Sequence, residues 1–302
     1  MMTKSKKLAQ TAIALAITLT FAIPLIIYHT RSPVLILTEQ SFIRIYGEER
    51  IRRESFRSSL VMFRPVKTVI VANDAGDDIV QYAIAEISSR PYIVLFPLRF
   101  LRSAEIYKDH NPNIRVILLE TSGYIQSDRQ NDFFSYRTDL ETDFYRAGII
   151  ASSLDMENNG RIAVFFEDNI SSRARPAFLR ALEDQNKASN AHFFSDFSSF
   201  YDISDISCVV IAGTGFEYLE EKKDIPVILF SWLNPSLAPS DIVMIIDDSP
   251  WAQAVQAVRL AETGIMTANI PSKLLIIDNN RVDRRLLRQV QAISKVQSEN
   301  TN

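Results

Sequence analysis

DLETDFYRAGIIASSLDMENNGRIAVFFED, residues 139–168, decides the fold class. Phe144, Ala147, Gly148, Ile150, Ala151 and Leu154 are apolar or small and recur at helical spacing, so the stretch opens as a helix with one buried stripe. Asn158, Asn159 and Gly160 are residues that stop a helix and turn the chain. Ile162–Phe166 is then an unbroken apolar run, too short for a helix. A strand that is apolar on both faces is covered on both, as in the middle of a parallel sheet. Many folds contain a helix, turn and buried strand, so its neighbours must discriminate.

Outward from this unit the same alternation continues in both directions. Before it, the patterns predict strands at 34–37, 68–72, 92–96, 115–120 and 132–136, with helices at 42–56, 78–88 and 103–109. Glu48, Arg50, Arg52 and Arg53 are expected on the wet face of the 42–56 helix. After it come a helix at 173–185, strands at 192–194 and 208–212, a helical turn at 215–221, strands at 227–230 and 242–246, a helix at 251–263, a strand at 274–277 and an amphipathic helix at 283–296. Strand and helix in regular alternation imply an α/β fold with mostly parallel sheets flanked by helices. About eleven strands are many for one sheet, so two lobes are expected. One comprises residues 33–138 plus 241–268, the other 139–240 plus 269–302, with hinges at 121–122, 136–139 and 237–241.

The 302 residues are 47% hydrophobic and 23% charged, an ordinary globular balance. A net charge of −3 offers no electrostatic footprint for nucleic acid. Cys208 is a lone cysteine inside an apolar run and reads as a small buried hydrophobe. The three histidines, His29, His110 and His192, show no metal-ligand spacing. Gly213-Thr214-Gly215 lacks the lysine and third glycine of phosphate loops, and no nucleophile elbow is present. Nothing in the residues argues for an enzyme, a metal or a cofactor.

Lys4, Lys6 and Lys7 precede an uncharged apolar stretch, Leu8 to Tyr28. This is either a signal peptide cleaved after Ala22 or an uncleaved anchor, and the continuation from Ile23 to Tyr28, which brings it to about the length of a bilayer span, favours the anchor. Lysines on the N-terminal side place the body outside the cytoplasm, at the periplasmic or extracellular face.

Several segments, in order, resemble the basic membrane protein (purine-nucleoside receptor) family of type I periplasmic substrate-binding proteins. PYIVLFPLRFLRSAEIYKDHNPNIRVILLET at 91–121 is similar to that family's strand–loop–helix–turn–strand. Glu141, Tyr145, Ala147 and Gly148 match its E-x-x-x-Y-x-A-G helix, Gly160 to Phe166 its next strand, VVIAGTG at 209–215 its GTG loop, and 226–247 its crossover. The resemblance covers most of residues 33–270. It implies a two-lobed type I binding-protein fold behind the N-terminal segment, a small ligand such as a nucleoside, and a membrane transporter or sensor as partner. The departures concern the ligand. The family's first loop becomes Thr38-Glu39-Gln40-Ser41-Phe42-Ile43, its ligand-holding aspartate falls at Ser231 and its lysine at Asp247. Its Gly-Phe loop becomes Arg99-Phe100, and a glycine-rich turn becomes Glu167-Asp168. Three readings stay open: a solute-binding receptor, a degenerate binding fold serving as a membrane-anchored interaction domain, or a membrane-anchored α/β transferase, which would need Asp247 and Asp248 to converge in the cleft.

In open α/β sheets ligands sit beyond the C-terminal ends of the strands. With this fold the candidate ligand-binding residues are Glu39, Gln40, Phe42, Asn73, Asp74, Phe100, Glu167, Asp168, Thr214, Phe216, Ser231, Trp232, Asn234, Asp247 and Asp248. Phe42, Phe100 and Trp232 either stack on a planar or sugar ring or pack internally. Asn73-Asp74 reads first as a helix N-cap cluster. Asp248 or Ser249 is the expected N-cap before Pro250 at the first helical position.

Overall fold

The computed structural model describes residues 28, 30–120, 133–154, 160–166, 168–195, 205–215, 219, 224–231, 239, 241–278 and 281–293. Twelve strands among the described residues form two six-stranded sheets. The first holds β1 (Val34–Glu39), β2 (Val66–Val71), β3 (Ile93–Pro97), β4 (Arg115–Glu120), β5 (Phe134–Thr138) and β11 (Thr267–Ile270), in the order β11-β5-β4-β3-β1-β2, all parallel. The second holds β6 (Arg161–Phe166), β7 (Ala191–Phe194), β8 (Ile206–Ala212), β9 (Val227–Phe230), β10 (Ile242–Asp247) and β12 (Lys273–Ile276), in the order β12-β10-β9-β8-β6-β7. There only β12 runs antiparallel. Each sheet thus repeats one winding, second strand, first, third, fourth, fifth, and is closed by a sixth strand from the far end of the chain.

Parallel sheets bury both faces, and β1 shows how the sequence meets that demand. Val34 and Ile36 enter one apolar cluster while Leu35 and Leu37 enter another on the opposite face, all fully buried. The α-helices among the described residues are α1 (Gln40–Tyr46), α2 (Glu48–Met62), α3 (Asp77–Ile87), α4 (Leu101–His110), α5 (Leu140–Leu154), α6 (Asp168–Glu183), α7 (Pro250–Glu262) and α8 (Arg284–Ala292). One face of the first sheet is covered by α7 through Trp251, Ala254 and Val258, together with α1 and α2. The other is covered by α3 and α4 through Val80, Ile84, Ala104 and Tyr107. On the second sheet α5, α6 and α8 cover the face that carries Ile162, Val164 and Val210.

The opening stretch folds as α5 followed by β6, with Asn158 and Asn159 outside the described residues. Gly148 is where α5 meets α6. A Cβ there would lie 2.7 Å from the Ala181 Cβ and 2.9 Å from the Phe178 carbonyl oxygen, so only a hydrogen fits.

Several features depart from the sequence expectations. The single helix expected at 42–56 is two, because Gly47 takes φ +93 and ψ +126, a backbone that other residues avoid. Arg50, expected on the wet face, is buried. The helix expected from 173 begins at Asp168 and carries Pro176 inside it. β11, a polar TANI segment, was not foreseen. The chain passes between the sheets three times: at Asp139, at Asp248-Ser249 and at Pro271-Ser272. Ile242–Asp247 therefore pairs in the second sheet, whereas residues 241–268 were expected together in the first lobe. Of the expected hinges only 136–139 is a crossing. The segments containing 121–122 and 237–241 each join two strands of one sheet, and loop composition does not tell a crossing from a local connection. Residues 1–27, with most of the apolar stretch, lie outside the described residues, among which no helix is long and apolar enough to cross a membrane.

Candidate functional site

In this winding the strand order reverses at the first strand, so the crevice beyond the C-terminal ends of β1 and β3, and of β6 and β8, is the natural ligand position. On the first sheet the loops at that edge are tied to one another. Glu39 pairs with Arg99, whose guanidinium also donates to the Asn73 carbonyl at 3.3 Å. The Asn73 Oδ1 accepts from the Ser41 backbone N–H at 3.0 Å, in the first turn of α1. Asn73 thus supplies a cap to a helix from another strand's loop, whereas its own helix, α3, starts after Gly76. Gln40 and Asp74 are exposed at this edge. One strand further along, Glu120 is buried and accepts from Ser135 Oγ at 3.0 Å and Arg137 Nε at 2.6 Å.

Phe42 and Phe100 both have protein partners. Phe42 stacks on Tyr46 with centroids 5.4 Å apart and lies 5.5 Å from Trp251. Phe100 is buried in the cluster beneath α3 and α4, with the Arg99 guanidinium 5.0 Å over its ring. On the second sheet Thr214 follows β8, between Gly213 and Gly215, both at positive φ. Its Oγ1 is buried without a hydrogen-bond partner, a state that costs about 1–3 kcal/mol until a partner arrives. A Cβ at Gly215 would lie 2.4 Å from Phe165 Cγ, which fixes glycine in this loop. Ser231 follows β9, half-buried, with its N–H on the Ile246 carbonyl at 3.1 Å. Glu167, Phe216, Trp232, Asn234 and the side chain of Asp168 lie outside the described residues.

Asp247 sits between the two sheets. Arg50 Nη2 lies 2.6 Å from its Oδ2, the Tyr46 hydroxyl donates to the same oxygen at 3.2 Å, and the Ser249 N–H donates to Oδ1 at 2.9 Å. Asp247 has no exposed surface and Arg50 almost none. Burial pushes the Asp247 carboxyl up and Arg50 pulls it back; burial likewise raises the Tyr46 phenol far above its usual range, with Asp247 adding to the rise. The Arg50 guanidinium also lies 4.0 Å over the Tyr46 ring. Beside this tie, Lys273 Nζ of β12 reaches Glu54 Oε2 of α2 at 2.7 Å. Asp248 receives the Thr138 hydroxyl at 3.3 Å, and Gln253 donates to that hydroxyl at 3.1 Å. Ser249 caps α7 through the Ala252 N–H at 3.3 Å with Pro250 at the first position, as its sequence foretells.

The third crossing has its own buried pair. Asp143 accepts from the Ser272 N–H at 3.0 and 3.2 Å and lies 3.4 Å from Arg146, which donates to the Ser272 carbonyl at 3.1 Å. Burial pushes the Asp143 carboxyl up to about 7 against the pull of Ser272 and Arg146. Tyr46, Arg50, Glu54, Asp143, Arg146 and Lys273 were not singled out from the sequence. A usable signal was present in part, since Arg50, Glu54 and Ser58 recur every fourth residue and share one face of α2. Among the described residues no group of His, Cys, Asp and Glu could hold a metal. Among the described residues the arrangement is one of structural ties around the three crossings.

No family model matches this chain, and no curated protein matches it. Solved structures do. A transcriptional activator of the comK gene from Bacillus halodurans aligns over 88% of this chain and 97% of its own, at 14% identity and TM-score 0.56. An ABC-transporter solute-binding protein from Conexibacter woesei aligns over 88% and 97%, at 11% identity and TM-score 0.53. A periplasmic solute-binding protein from Actinobacillus succinogenes with bound D-allose aligns over 82% and 98%, at 9% identity and TM-score 0.50. At these identities the likeness concerns the fold, and that fold is the two-lobed α/β architecture of type I periplasmic binding proteins.

Proposed function

We propose that the chain is an extracytoplasmic, receptor-like solute-binding protein that closes two lobes over a small polar metabolite, a nucleoside or a related sugar. The observation that carries the reading is the repeated winding of two sheets joined by three crossings, with an unpartnered Thr214 hydroxyl buried at the reversal point of the second sheet. Its likeness to solute-binding proteins, one of them holding D-allose, supports the reading. The basic membrane protein resemblance points to a nucleoside, and the Leu8–Tyr28 stretch to a membrane tether with the body outside the cytoplasm. Tethering suits a sensor or a transporter-docked receptor better than a free shuttle.

Thermal unfolding of the full chain against panels of nucleosides, sugars and amino acids tests this. A ligand at a hundred times its Kd adds about 2.7 kcal/mol of stability. A rise in midpoint with one class, lost in Thr214→Val, is the expected result. No rise with any class, together with no small molecule released from the denatured protein in mass spectrometry, overturns it. That second outcome would favour an interaction domain on a degenerate binding fold. Its specific support is that Glu39, Phe42, Phe100 and Asp247 all have internal partners.

A further inference from the structure

Four large apolar side chains stand exposed within eight residues at the end of α2: Phe56, Leu60, Val61 and Phe63, each at least 40% open. Phe56 and Leu60 are one turn apart on α2, and Phe63 is the left-handed residue that ends it. Arg52, Arg53 and Arg57 of the same helix are exposed, Arg52 3.4 Å from Glu48 and Arg57 3.1 Å from Glu54. The opposite side of α2 is buried, and from it Arg50 and Glu54 hold Asp247 and Lys273 of the second sheet. The patch is therefore displayed on a helix that is firmly fixed from behind.

What covers it is indicated by the chain that arrives beside it. Tyr28, the last residue of the apolar stretch, packs edge-on against Phe63 with centroids 6.2 Å apart. The Arg31 guanidinium lies 5.1 Å over the Phe63 ring and donates to the Phe63 carbonyl at 3.1 Å. No slack linker separates the apolar stretch from the fold: it ends on this face of α2. If Tyr28 marks the boundary of a membrane span, Phe63 is one side chain from it, within a polar layer roughly 5–7 Å deep on each side of the hydrocarbon. Phe56 is about 10 Å along the helix from Phe63, a separation that the same layer accommodates when the helix lies flat. Exposed aromatic and aliphatic groups edged by arginines are the composition of surfaces seated at that layer.

We propose that the Phe56–Leu60–Val61–Phe63 face of α2 lies in the headgroup layer of the bilayer that receives the Leu8–Tyr28 stretch, so that the first lobe is seated on the membrane in one fixed orientation. This rests on the anchor reading above, and the test separates the two. The full chain is reconstituted in vesicles of phosphatidylethanolamine and phosphatidylglycerol, with a bimane label at Leu60→Cys, at Phe56→Cys or, as control, at Tyr82→Cys. Tyr82 is exposed on α3, against the other face of the first sheet, and Cys208 is fully buried, so the introduced thiol takes the label. Nitroxide lipids labelled at the headgroup are expected to quench the two α2 sites several-fold more than the α3 site, in chains that resist carbonate extraction. Equal quenching at α2 and α3 in extraction-resistant chains overturns the proposal and leaves the anchor standing. Chains extracted by carbonate overturn both. An α2 label shielded from lipid and released on diluting the protein in the membrane assigns the face to a second copy, which also overturns it.

Discussion

Two glycines and one aspartate carry more than their size suggests. Gly148→Ala places a methyl within 2.7 Å of Ala181 and 2.9 Å of a backbone oxygen, so α5 and α6 must part. A loss of about 1–3 kcal/mol in urea unfolding is expected. Gly215→Ala meets both the Phe165 ring and a φ of +84 and should cost a similar ~1–3 kcal/mol while distorting the Thr214 loop, read as weaker ligand stabilisation. Asp143 predicts a pH response. Its folded value, about 7, lies above its ordinary 3.8, so between these the folded state binds the extra proton. Its contribution to stability therefore falls as pH rises from about 4 to about 7, and Asp143→Asn should flatten that slope in denaturation midpoints measured across the range. Gly148 was legible as part of a buried helical stripe, but its close approach to α6 was not, because that depends on Phe178 and Ala181 of another helix. Arg50 was not, because its burial depends on Asp247, 197 residues away, and no local pattern encodes that.

At the level of the element, α2 is the joint. Its inner face sends Arg50 and Glu54 to the second sheet, and both partners lie at crossings or just beyond them. Removing one member of a buried pair strands the other. Asp247→Leu should destabilise by about 3–5 kcal/mol, and Arg50→Met with Asp247→Leu should recover much of that, read as a non-additive double-mutant cycle. The strands buried on both faces were read easily from their continuous apolar runs. The break at Gly47 was missed because the surrounding residues keep helical character on both sides. β11 was missed for the opposite reason: it is an edge strand of four residues in which only Ala268 and Ile270 face the core, too short an alternation to stand out. The candidate site was legible as a set of loops, since strand ends dictate those. Which side chains stay available was not, because Phe42 and Phe100 are occupied by partners that only the tertiary fold supplies.

Across the whole molecule, neither lobe is a continuous piece of chain. The first sheet needs α7 to cover Val34, Ile36 and Leu95 and needs β11 as its edge, and both come after residue 249. Residues 33–138 made alone should therefore bind a hydrophobic dye and lack a cooperative unfolding transition, and adding residues 249–270 through a linker should restore one. The reading fails if the short piece unfolds cooperatively by itself. The five strands β6 to β10, by contrast, follow one another within residues 161–247. The second sheet is also finished late, since it takes β12 as its edge and α8 as part of its cover, both after residue 272, so each half waits with open apolar surface for chain not yet synthesised. The first half waits longer, from residue 138 until α7 and β11 are made. A chain built this way spends the interval after its first 138 residues dependent on whatever shields nascent polypeptide, so the three crossings that unite the lobes also define when the protein is most exposed to aggregation.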